Sequence, residues 1–306
     1  MNRGFDTGTI QPRRRPWVTG SGGTPKGHRL GQDAGPSART AASAPPPVRV
    51  ALFVTCLVDG LVPRVGAATV AVLERLGLDV AVPRRQTCCG QLHVNSGYPD
   101  QALALVRNHV AAFADAEAIV VASGSCVAAI RHQHVELARA AGDEGLAAAA
   151  AAVAARTYEL SEFLVDVCGV LDVGAWFPHR VTLHQACHAL RLLRTGDRAR
   201  RLLDRVEGIE LVDLPDADSC CGFGGTFALK NASVSAAMLA DKLRAVDATG
   251  ATVVTAGDAS CLTHLGGGLS RAAAGARTVH LAEILAATRD RPWAPPGAPP
   301  HPRRRP

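Results

Sequence analysis

The chain has 306 residues, 47% hydrophobic and 20% charged, enough for a buried core of ordinary size. Its net charge of +6 sits at the ends: residues 1–47 carry +5 and residues 289–306 carry +4, which leaves −3 for residues 48–288. A mildly acidic centre argues against a basic nucleic-acid patch, so no nucleic-acid partner is expected.

Arg13, Arg14 and Arg15 have no apolar run behind them, and the longest weakly polar run, Leu146 to Ala155, is too short to cross a bilayer. No leader and no membrane span are expected, and the expected location is cytoplasmic. Nine cysteines in such a chain point to metal or redox chemistry before disulfides.

Residues 1–47 are rich in Gly, Pro, Ser, Thr and Arg without periodicity, and residues 289–306 hold seven prolines; both are expected to be disordered tails. Order begins with the apolar run Val48 to Val54, a strand that delivers Cys56 at its end. Pro63 opens a helix that Gly77 stops. Leu78 to Val82 reads as a second strand leading into Cys88-Cys89-Gly90. Pro99 to Ala114 carries Leu103, Val106, Val110 and Phe113 at helical spacing. Ala118 to Ala122 reads as a buried strand ending at Ser123-Gly124-Ser125-Cys126, where a further helix starts. Residues 139–175 read as a mostly helical connection, its alanine tract a good helix former.

The pattern then repeats. Arg180 to His184 is a strand ending at Cys187, and a helix comes next near Asp197 to Val206. Glu210 to Leu214 is a strand leading to Cys220-Cys221-Gly222, and Ser233 to Val246 is a helix. Thr252 to Ala256 is a strand ending at Asp258-Ala259-Ser260-Cys261. Matching cysteines are offset by 131, 132 and 135 residues, which marks an internal duplication. Strands alternating with helices predict an α/β fold of two pseudo-repeated domains, 48–172 and 173–288, each with a small parallel sheet and its cysteines on strand-end loops.

Each repeat offers four thiols: Cys56, Cys88, Cys89 and Cys126, then Cys187, Cys220, Cys221 and Cys261. Structural zinc usually takes two close pairs of ligands, whereas these sets have one vicinal pair and two distant single cysteines, a pattern better suited to a multi-iron cluster. Gly90, Gly222, Gly224 and Gly225 let backbone N–H groups approach such a cluster. Cys168, within the helical run Glu162 to Val170, reads as a small apolar filler.

The motifs Phe53-Val54-Thr55-Cys56, Gln86-Thr87-Cys88-Cys89-Gly90-Gln91, Asn95-Ser96-Gly97-Tyr98, His184-x-x-Cys187-His188-x-x-Arg191 and Cys220-Cys221-Gly222-Phe223-Gly224-Gly225-Thr226-Phe227 resemble the lactate-utilization protein A family. This is one of the families with duplicated cysteine-rich CCG domains, alongside the cysteine-rich subunit of heterodisulfide reductase and the glycolate oxidase iron–sulfur subunit. The resemblance covers residues 48 to about 288.

It implies an iron–sulfur subunit of a cytoplasmic complex oxidising L-lactate to pyruvate, with a ferredoxin-like iron–sulfur subunit, a small third subunit and a small 2-hydroxy acid as partners. It implies one or two [4Fe-4S] clusters per chain, with zinc an alternative in one repeat. Rival readings are another 2-hydroxy-acid (glycolate) oxidase subunit, a disulfide reductase subunit, or a metal-binding redox sensor. The family's Cys-x-x-Cys is incomplete: Ser123 and Asp258 stand where its first cysteine would be. Asp258 is expected to cap a helix rather than bind metal. His184, His188 and His264 are expected to tune the sites by hydrogen bonding, and His184, His188 and Arg191 are the catalytic candidates.

Overall fold

The computed structural model describes residues 49–295. The stretches 1–48 and 296–306, which hold most of the two expected tails, lie outside the described residues. The first half carries strands β1 (Arg49–Leu52), β2 (Asp79–Ala81), β3 (Ile119–Val121) and β4 (Thr157–Glu159). The second carries β5 (Arg180–Leu183), β6 (Glu210–Val212), β7 (Val253–Ala256) and β8 (Arg277–His280). Each half forms one four-stranded sheet, in the orders β2-β1-β3-β4 and β6-β5-β7-β8, and every pairing is parallel. The inner strands β3 and β7 are buried throughout, which is why they read as continuous apolar runs rather than alternating ones.

Between the strands of the first half run α1 (Cys56–Leu61), α2 (Arg64–Arg75), α3 (Gln91–Asn95), α4 (Pro99–Ala112), α5 (Gly124–Ala128), α6 (His134–Ala140) and α7 (Glu144–Ala154), with α8 (Leu160–Glu162) after β4. The second half has α9 (Arg198–Leu203), α10 (Phe227–Lys230), α11 (Ala232–Ala248), α12 (Ala259–Arg271) and α13 (Leu281–Ala286). Pro99 sits in the first turn of α4, where its missing N–H costs nothing. The alanine tract forms α7, started by the Asp143 carboxylate accepting from the Leu146 N–H at 2.9 Å.

Residues 139–175 are not helical throughout, because they contain β4. A three-residue strand paired on one side is too short to show a period in sequence. Strand β8, also paired on one side, was missed for a similar reason. The turns that leave these two strands are alike as well. Glu159 caps α8 and His280 caps α13, each with a glutamate three residues on (Glu162, Glu283) closing a capping box.

These last helices tie the halves together. α13 packs on α2, and α8 packs on α9, so each half lends its final helix to the other. The Arg75 guanidinium donates to the carbonyls of Val173 at 2.9 Å, Leu285 at 3.0 Å and Ala286 at 2.5 Å. One core runs through both halves, with Val72, Leu160 and Phe163 from one side against Leu202, Leu281 and Ile284 from the other. The ordered chain also extends past residue 288. Trp293 packs its ring 5.8 Å from that of Phe177, and its indole N–H donates to Glu283 at 3.2 Å. Residues 289–293 therefore pack on the fold, held there by the half-buried Trp293 indole. No helix among the described residues is long and apolar enough to cross a membrane.

Candidate metal centre

In each sheet the chain leaves the first strand in one direction and returns for the third in the other, so a crevice opens beyond the strands' carboxyl ends. Every cysteine expected at a metal site is on that rim. Cys56 opens α1 just after β1, Cys88 and Cys89 come after β2, and Cys126 lies in the first turn of α5 after β3. Cys187, Cys220, Cys221 and Cys261 repeat the placement around β5, β6 and β7. All eight line a single cleft with about 820 Å³ of empty space, part of it open to solvent.

Within each half the clustered thiols shift one another's pKa. Cys88 is held well below its ordinary pKa, first by the Cys56 S–H, then by that of Cys89, and further by the Gly90 N–H at 3.4 Å. Cys220 is lowered in the same way by Cys187, Cys221 and the Gly222 N–H at 3.3 Å. Cys56 and Cys187 are pushed up, first by the neighbouring Cys88 or Cys220 sulfur and then by burial. All eight are free thiols. A set of convergent sulfurs of this kind fits a thiophilic metal or an iron–sulfur cluster. Gly90 and Gly222 have φ of 86° and 91°, and this left-handed turn aims their N–H groups back at the sulfur.

The two missing cysteines face each other. Ser123 and Asp258 form an isolated antiparallel bridge between the halves. Asp258 is 2% exposed, and its carboxylate accepts from the Ser125 N–H at 2.9 Å, the Ser123 hydroxyl at 3.3 Å and the Ser260 hydroxyl at 2.8 Å. It caps α12, and Ser123 caps α5 by accepting from the Cys126 N–H at 3.3 Å. The residues replacing the two cysteines thus fasten one half to the other. Gly124 permits the approach, since a Cβ there would lie 2.7 Å from that of Ala189.

Around this shared frame the halves differ. The N–H of Phe53 donates to the Val120 carbonyl at 3.0 Å, and that of His184 to Thr255 at 2.8 Å, so the two residues are structural equivalents. Phe53 packs edge-on to His109 and Phe113. His184 is 1% exposed, and its ring nitrogens have no hydrogen-bond partner among the described residues. One of them lies within 4.8 Å of the Cys221 and Cys261 sulfurs.

The helices after the vicinal cysteines bury matched faces: Ala102, Val106, His109 and Phe113 against Ser235, Leu239, Lys242 and Val246. Burial pushes His109 down to about 3, aided by neighbouring His134. At the matching place the buried Lys242 ammonium donates to the Asp216 carbonyl at 2.5 Å, and burial lowers its pKa too. His134 bonds the Cys89 carbonyl through Nε2 at 2.8 Å.

Of the catalytic candidates, His188 lines the cleft, with Nδ1 3.6 Å from the Cys187 sulfur and Nε2 3.3 Å from Gln91 Nε2. His184 sits behind the cysteines and lines a smaller cavity with Glu159 and Gln185. Arg191 is directed away, donating to the Asp218 carbonyl at 3.2 Å, and does not line the cleft. His264 is half-buried with Nε2 3.3 Å from the Ser235 hydroxyl, which itself donates to the Gly222 carbonyl. Gly224 and Gly225 line the cleft, and Cys168 is a half-buried packing residue. Sequence reasoning passed over Gln91, Lys242 and Glu159. For Lys242 the signal was its place on the apolar stripe of α11, seven residues after Ser235.

The sequence matches the family profile for the cysteine-rich domain (CCG) at residues 50–131 and 181–266, once per half. It is 45% identical to lactate utilization protein A of Geobacillus kaustophilus over 239 residues, covering 78% of this chain and 98% of that protein. It is 42% identical to the protein of that name from Bacillus subtilis over 238 residues, 78% of this chain and 99% of that one. Among solved structures, a hypothetical protein from Helicobacter pylori superposes with a TM-score of 0.56 at 13% identity, over 79% of this chain and 49% of that chain, which speaks to fold alone. The cysteine arrangement, its duplication and these identities agree: the chain belongs to the lactate utilization protein A family of duplicated CCG cysteine-rich proteins.

Proposed function

We propose that this chain is the iron–sulfur subunit of a cytoplasmic complex that oxidises L-lactate to pyruvate, working with a ferredoxin-like iron–sulfur subunit and a small third subunit. The observation that carries the reading is the convergence of both cysteine sets on one cleft, in a chain whose relatives are named for lactate utilization. Cys56, Cys88, Cys89 and Cys126 would hold one cluster, and Cys187, Cys220, Cys221 and Cys261 a second. When bound, [4Fe-4S] clusters supply one-electron steps that accept the two electrons released when a 2-hydroxy acid becomes a 2-oxo acid.

The chain's own residues set the conditions for that transfer. The Gly90 and Gly222 N–H groups stabilise negative charge on the sulfurs of Cys88 and Cys220. His188, on the cleft wall, is the base placed to take one of the two protons released as the hydroxy acid is oxidised, the other leaving to solvent through the open side of the cleft. Gln91, donating to the Ser125 carbonyl at 3.0 Å, orients that imidazole from the other half. Anaerobic purification should yield iron and acid-labile sulfide with the chain. Deletion of the gene should abolish growth on L-lactate, restored by the wild type and not by Cys221→Ser. Protein purified without iron or sulfide would sink the reading.

A further inference from the structure

His184 is buried to 1% exposure, and neither ring nitrogen has a hydrogen-bond partner among the described residues, a state that His109 behind the first site shares, so proximity to sulfur is what sets His184 apart. Packing does not demand an imidazole, because the equivalent backbone position in the first half holds Phe53. What the second half has at that place is a nitrogen within 4.8 Å of two buried sulfurs, those of Cys221 and Cys261. Asp258, at the place of a further cysteine, is already engaged with Ser123, Ser125 and Ser260 and is not free to bind.

We propose that His184 is a metal ligand of the second site, alongside Cys221 and Cys261, which makes that site mixed histidine–thiolate while the first is thiolate only. The proposal rests on the reading that the cysteines hold metal. A neutral imidazole donates less negative charge than a thiolate, so a redox-active second site has the higher reduction potential.

The test uses the full chain, purified anaerobically and assayed first for iron, sulfide and zinc. If the second site holds iron, pulsed EPR of the reduced protein should show a directly bound nitrogen. If it holds zinc, X-ray absorption fine structure at the zinc edge should show a nitrogen with the sulfurs. In His184→Phe that nitrogen should vanish, and second-site metal affinity should fall at least about tenfold. His184→Cys should retain metal without the nitrogen and, with iron, show a lowered potential. Circular dichroism of both variants reports whether the fold is kept. Metal bound by sulfur alone in the wild type, or metal content and potentials unchanged in His184→Phe, overturns the inference and leaves the proposed function standing. A metal-free wild-type chain overturns both.

Discussion

The two cysteine sites have the same backbone and different surroundings. Both gather four cysteines on one cleft, and both aim a glycine N–H at the first sulfur of the vicinal pair. Behind the first stand Phe53, His109 and Phe113, an aromatic wall with a histidine held neutral by burial. Behind the second stand His184, Ser235 and Lys242, with a cationic side chain where the first has His109. The duplicated strands and turns thus keep the sulfurs in place, while the packed faces behind them decide how polar each site is. Charge and hydrogen bonds near a cluster shift its potential, so two copies of one motif can serve as unequal carriers.

Emptying one site at a time tests this inequality most severely. Cys89→Ser should remove metal from the first half and Cys221→Ser from the second, each leaving the other site's metal in place, with affinity at the altered site down more than about 100-fold. Metal analysis of the two purified variants checks this, and a site that survives its own substitution would show that the halves share ligands.

A smaller effect separates the faces behind the sites. His109 has its folded pKa lowered from 6.5 to about 3, so the unfolded chain binds the extra proton between those values. Its contribution is complete above pH 6.5 and is lost as pH falls towards 3, by as much as about 4–5 kcal/mol. His109→Phe should flatten that part of the acid unfolding curve, whereas Lys242→Met should leave it unchanged.

The paired capping residues give opposite signs. Glu159 is buried and raised from 4.5 to about 7, so its contribution is complete below pH 4.5 and lost as pH rises to 7, about 3 kcal/mol in all. His280 is lowered from 6.5 to about 4 by burial and loses its contribution as pH falls through that range. Denaturant midpoints of Glu159→Gln against the wild type at pH 5 and pH 8 should show the variant gaining relative stability at the higher pH. Least of all, Gly124→Ala should cost about 1–3 kcal/mol by forcing α5 off Ala189, measured by urea unfolding.

Local rules of sequence were enough for much of the molecule. Val48 to Val54 and Ala118 to Ala122 read as strands because apolar runs of that length have few other uses. The cysteines were legible because residue type and spacing state the chemistry, and the constant offset between them stated the duplication. Even the capping role of Asp258 could be read from its place before a helix.

Contacts between residues far apart in the chain settled the rest, and these exist only in the tertiary structure. Three-residue β4 has no period of its own and exists because β3 offers it an edge. Arg75 reaches carbonyls about 100 and 210 positions away, so no window of sequence could show that the halves exchange their last helices. Ser123 meets Asp258 across 135 positions. Lys242 is a charged residue that sequence would put in water, yet α11 turns it inward, where the Asp216 carbonyl satisfies it. His184 stands at the end of β5 where Phe53 stands at the end of β1, and only the folded chain shows that the imidazole is buried beside two sulfurs. The physical reason is the same in each case: residue type announces which interactions a side chain can make, and the fold determines which of them remain unmet.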